Sequence, residues 1–245
     1  MLAPNSETVL RIWEETSLSH PVRRALALLD AAWPDVGHET WANTPIGRRD
    51  ACLLHLYEAL FGPNFNAIAR CPECGERTDV QFTAAETGLG PPDLPGAVET
   101  YQLRDGAYEL GYRLPNSTDL LALAEVGPAP TAMELVERCL DGAMHLDRPV
   151  PAADLPAPVI ARLAEAIGEQ DPGAEMRVGL RCPGCGHDWA PLFDITVYLA
   201  AELDDWAQGL LADIHALAIA YGWSEREVLA LSPGRRRLYL EMVAG

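Results

Sequence analysis

The chain has 245 residues, 49% of them hydrophobic, enough to bury a core in one or two domains. Its 36 acidic against 18 basic residues give a formal net charge of -18, a field that repels nucleic-acid phosphates and anionic membrane surfaces. No 18-residue uncharged apolar run occurs, and the start MLAPNSETVLRIWEE has neither the basic nor the apolar region of a signal peptide, so a cytoplasmic protein is expected.

From Glu7 to Trp33 the sequence reads as two short helices divided by SLSHP, with Ser19 suited to cap the second and Pro21 to its first turn. A loop through Trp33, Pro34, Gly37, Trp41 and Pro45 follows. GRRDACLLHLYEALFG then predicts a third helix with Leu53, Leu56, Tyr57 and Leu60 inward and Gly62 beyond its end. Residues 1–66 form a helical N-terminal region on this reading.

Two segments, AIARCPECGERTDVQFT and MRVGLRCPGCGHDWAPLFD, look like copies of one hairpin, each with short extended runs either side of a cysteine turn. They define a small β unit split between 67–90 and 176–194. The intervening 91–175 is read as an insert. A Pro/Gly linker from Gly88 to Gly96 leads into it, and a hairpin from Val98 to Leu114 and helices near 117–126, 131–143 and 154–168 follow.

Residues 195–245 begin with a long amphipathic helix, whose apolar positions Ile195, Leu199, Leu203, Trp206, Leu210, Ile214, Leu217 and Tyr221 are spaced by three or four. Ser224 and Glu227 make a capping-box pattern for a short helix after Gly222, and Ser232 with Pro233 starts the last one. The expected class is α+β, mainly α, with helical ends around a small β ribbon that a helical insert divides.

Four of the six cysteines, Cys71, Cys74, Cys182 and Cys185, lie in the two CPxCG turns, and the others, Cys52 and Cys139, lie in helical stretches. That is not the spread of a secreted disulfide framework. Two CxxC turns brought together supply four thiolates in a tetrahedron, which is a closed structural Zn2+ site with no open position for catalysis. Iron held by the same four ligands, two separate redox CxxC pairs, and His187 in place of one cysteine are the weaker readings.

No Walker loop, GxGxxG, GxSxG or HExxH is present, and the six histidines show no ligand spacing, so no catalytic residue is assigned and a non-enzymatic protein is expected. Tyr221, Trp223, Arg235, Arg236, Arg237 and Tyr239 are the candidate partner surface, because aromatic and arginine side chains dominate interface hot spots.

The C-terminal run LADIHALAIAYGWSEREVLALSPGRRRLYLEMV resembles the end of the baseplate hub assembly chaperone family of T-even-like phages and related contractile injection systems. TPIGRRDACLLHLYEALFGPNFNAIARCPECGERTDVQF, YRLPNSTDLLALAE and RCPGCGHDWAPLFDITVYLAAELDDWA resemble members that carry the zinc knuckles, so the likeness covers most of 40–243. It implies a non-enzymatic role in building the central baseplate of a contractile tail, with hub, spike or tape-measure proteins as partners in the bacterial host cell. A zinc-ribbon nucleic-acid or regulatory adaptor is the alternative, which the acidic charge disfavours; a metal-dependent enzyme would need an open coordination position.

Overall fold

The computed structural model describes residues 1–90, 93–126 and 132–244. The N-terminal region folds as α1 (Ser6–Thr16), α2 (Pro21–Ala32), α3 (His38–Asn43) and α4 (Ile46–Phe61). Asn5 caps α1 by accepting the Thr8 amide at 2.9 Å. The cap of α2 is His20, not the expected Ser19: His20 Nδ1 accepts the Val22 amide at 3.3 Å, while the Ser19 amide is taken by the Thr16 carbonyl that closes α1. α3 stands where a loop was expected. At 6 residues it is too short for an apolar period to register, yet it places fully buried Trp41 against Trp33, ring centroids 5.5 Å apart. On α4, Leu53, Leu56 and Tyr57 are in the core and Leu60 is half-buried.

Gly62 ends α4 at φ 98°, and the chain enters an antiparallel hairpin of β1 (Asn64–Arg70) and β2 (Arg77–Thr83) in the register Phe65↔Phe82. Phe65 is fully buried, its ring 4.1 Å from Tyr57 and 5.1 Å from Phe82, so the root of this hairpin belongs to the helical core. A 3-10 turn, Ala84–Thr87, leads to the linker, of which Pro91 and Pro92 lie outside the described residues.

The insert holds the expected hairpin and helices and adds two strands that were not expected. β3 (Thr100–Asp105), β4 (Tyr108–Arg113), α5 (Ser117–Val126), α6 (Ala132–Cys139), β5 (Leu140–His145), β6 (Arg148–Pro149) and α7 (Ala157–Gln170) follow in order. The strands form one antiparallel sheet in the order β3-β4-β5-β6. The helix expected to reach residue 143 stops at Cys139, and Leu140–His145 instead pairs with β4, where Ala143 meets Leu110. Leu110, Tyr112, Val136, Ala143, Val159 and Leu163 share a core of their own. The insert grips the start of α4: the Pro115 carbonyl accepts the Ile46 amide at 3.1 Å, and Ser117 Oγ accepts from buried Arg49 at 2.9 Å. The first serves an amide that an isolated helix terminus would leave open, and the second a buried guanidinium.

After a 3-10 turn, Pro172–Glu175, the second hairpin pairs β7 (Leu180–Arg181) with β8 (Asp188–Trp189). α8 (Ile195–Tyr221) then runs for 27 residues, roughly 40 Å, and α9 (Glu225–Leu229) and α10 (Pro233–Ala244) fold back as a hook. The first half of α8 buries Ile195, Leu199 and Leu203 against α1, α2, α4 and the first hairpin. Arg24, almost fully buried on α2, donates to Asp204 Oδ1 at 2.8 Å and to the Ala200 carbonyl at 2.9 Å, and Trp13 Nε1 donates to the same carboxylate at 2.8 Å. One acid thereby ties three helices. The second half buries Leu210, Ile214 and Leu217 with Leu10 and Val228 in a third core. No helix among the described residues is long and apolar enough to cross a membrane.

Candidate metal centre

The two cysteine turns are built alike. The Cys71 amide donates to the Glu76 carbonyl and the Gly75 amide to the Cys71 carbonyl; at the second turn Cys182 donates to His187 and Gly186 to Cys182, all at 2.9 to 3.0 Å. Each turn needs a left-handed residue after its second cysteine, and glycine supplies it, Gly75 at φ 76° and Gly186 at φ 75°. The predicted duplication is therefore a duplication of backbone geometry.

The fold brings the turns together across the insert. Cys71 Sγ lies 3.7 Å from Cys185 Sγ and Cys74 Sγ 3.5 Å from Cys182 Sγ, and all four sulfurs fall within 4.8 Å of one another. Four sulfurs about 2.3 Å from a common centre in a tetrahedron are roughly 3.8 Å apart, so this set fits one metal ion with every position filled by sulfur. Cys71 and Cys182, the first of each pair, are buried, while Cys74 and Cys185 are exposed.

The four thiols are not equivalent. Amides of Cys185 and then Gly184 point at Cys182 Sγ and pull its thiol down to about 7. The Glu76 amide acts the same way on Cys74 and the His187 amide on Cys185. At Cys74 the neighbouring sulfurs of Cys185 and Cys182 outweigh it and push the thiol up to about 12, and at Cys185 burial, helped by Cys182 and Cys71, raises the thiol above its ordinary value. A cation at the centre relieves the crowding of the sulfurs by displacing the shared protons. The amides of Glu76 and His187 are parts of the site that were not singled out in the sequence; the repeat carries the signal, since both residues stand second after the CxxC pair. His187 itself accepts from Cys182 through its backbone, and its ring lies 6.4 Å from that of Trp189.

The six residues of the expected partner surface lie together in the hook but are not equally accessible. Tyr221, Trp223 and Tyr239 form one aromatic cluster, with centroids 4.7, 4.9 and 5.8 Å apart, and Tyr221 is 40% exposed. Arg235 and Arg237 are exposed. Arg236 is not on the surface: it is buried beneath α10, with Nε and Nη2 unpartnered. Burial lowers its affinity for its proton, which nearby Asp213 partly restores.

No protein-family profile matches the chain, and neither a curated protein nor a solved structure matches it.

Proposed function

We propose that this chain is a non-enzymatic assembly factor or minor component of the baseplate hub of a contractile phage tail or contractile injection system, held together by one structural Zn2+ on Cys71, Cys74, Cys182 and Cys185. The observation that carries the reading is the likeness of the C-terminal run and of both cysteine turns to that family. The geometry supports it from a different side. A four-sulfur set leaves the metal no open position, which suits a structural role and no catalytic one. Zinc suits four thiolates in a closed tetrahedron, with no redox change demanded of them. The partners are hub, spike or tape-measure proteins met in the cytoplasm of the host cell, and the acidic charge argues against nucleic acid.

The test is affinity purification of a tagged copy from cells expressing the surrounding gene cluster, with mass spectrometry and metal analysis of the eluate. Recovery of hub or spike proteins together with about one zinc per chain is expected. A metal-free chain, recovered alone or with nucleic acid, would overturn the reading.

A further inference from the structure

Beyond Asp205 the outward side of α8 carries little of the charge found on a solvated helix face. A surface helix ordinarily sets charged residues opposite its buried stripe. From Trp206 to Tyr221, however, the one acidic or basic side chain besides His215 is Asp213, which is half-buried and interacts with Arg236 of the hook. The face opposite Leu203, Leu210 and Leu217 runs Ala201, Asp205, Gln208, Ala212, His215 and Ile219, and all six residues are exposed, Ile219 at 73%. Their spacing is four, three, four, three, four, so they make one stripe along the helix, the line on which a second helix could lie. Leu211 and Val197, also exposed, flank it.

We propose that this stripe pairs with the same stripe of a second copy, the two helices antiparallel about a two-fold axis at the midpoint between Gln208 and Ala212. An isologous contact requires the surface to complement itself, and this register does so. Ile219 falls on the second copy's Ala201, large against small. Asp205 falls on the second copy's His215, a carboxylate acceptor opposite an imidazole donor. Gln208 falls on the second copy's Ala212, whose small side chain leaves room for it. Each pairing occurs twice. The register also keeps the two Asp205 carboxylates apart, which a parallel pairing in register would set side by side in a chain already at -18. The inference rests on α8 alone and is independent of the baseplate reading.

The experiment is light scattering and sedimentation of the full-length chain as purified, across a concentration series. At about 100 μM a contact of the micromolar class is saturated, and the expected mass is about twice 26.6 kDa, falling on dilution. Ala212→Glu at the axis is expected to leave only the monomer. His215→Asp sets two carboxylates face to face and is expected to weaken association by about tenfold or more. Adding Asp205→His to it restores the pair and most of the association. These positions are exposed, so circular dichroism and bound metal should not change in any variant. A wild-type chain that stays at 26.6 kDa throughout overturns the proposal, as does a dimer indifferent to Ala212→Glu or a double exchange without recovery. Protection of this face in hydrogen exchange only when a hub protein is added overturns it too.

Discussion

The amide of Gly47 donates a 2.9 Å hydrogen bond to the carboxylate of Asp171, 124 positions later in the chain. Gly47 is in the first turn of α4, where amides have no partner within the helix, and Asp171 ends α7. The far end of the insert thus caps a helix of the main core. The approach is close: a Cβ on Gly47 would run into the Asp171 carboxylate and lie 2.9 Å from the backbone of Gly173 and Ala174. Gly47→Ala is expected to cost about 1–3 kcal/mol through overpacking. Asp171→Ala, which removes the cap, is expected to cost about 1–2 kcal/mol. Urea unfolding followed by tryptophan fluorescence measures both.

The metal site closes the same insert from its other ends. Cys74 and Cys182 are 108 positions apart, so metal binding closes a long loop that the contacts of the insert with α4 also tie down. Cys182→Ser and Cys74→Ser are each expected to reduce bound metal from about one ion per chain to almost none. Hydrogen-exchange protection should then fall in both hairpins, β1 with β2 and β7 with β8. A chelator acting on the wild-type chain should reproduce that pattern. Retention of full protection without metal would show that packing alone holds the hairpins together.

The cysteine turns, the long helix and the Ser224–Glu227 capping box were legible because each depends on residues close in sequence or on a repeated motif. The box forms as written, with Ser224 Oγ and its amide both donating to Glu227 Oε2 at 2.6 and 2.8 Å. The β5–β6 hairpin was not legible, because its turn residues Leu146 and Asp147 take φ values of 49° and 59° without the glycine or asparagine that marks such turns. The burial of Arg236 was not legible either. Its neighbours Arg235 and Arg237 differ from it only in which way the helix turns them, and that is decided by the packing of α10 on α8, a tertiary matter.

Asp50 gives stability an unusual pH dependence. Burial pushes its carboxyl up to about 6, against the pull of the Arg49 guanidinium 2.6 Å away. An acid whose folded value is raised binds its proton more tightly in the folded chain, so its contribution is fully present below the unfolded value of about 4 and is lost as pH rises through 6. Between pH 7.5 and 5.5 the wild-type chain should therefore gain about 1 kcal/mol relative to Asp50→Asn. Comparing the two chains at each pH cancels the effect of acid on the cysteine site, which they share. A gap between them that is constant with pH would mean that Arg49 keeps Asp50 ionised throughout.

Arg236 is a charge placed where packing would prefer a hydrocarbon. Two of its nitrogens are buried without a hydrogen-bond partner, and the Asp213 carboxyl nearby is itself pushed up by burial. A buried charge without hydrogen-bond partners costs stability, and Asp213 is only half-buried and keeps access to water when the guanidinium is removed, so Arg236→Met is expected to raise stability by about 1–3 kcal/mol in urea. Arg236→Ala should gain less, because it leaves a cavity under α10. Arg235→Ala and Arg237→Ala, at exposed positions, should change stability by no more than about 0.5 kcal/mol. The same variants separate packing from recognition. If the hook is the partner surface, Arg235→Ala and Arg237→Ala lower recovery of hub proteins without touching stability. Arg236→Met raises stability and lowers recovery only if the hook opens to present that guanidinium to an acidic group of the partner. Unchanged recovery with Arg236→Met would restrict the surface to the exposed arginines and to the Tyr221, Trp223 and Tyr239 cluster beside them.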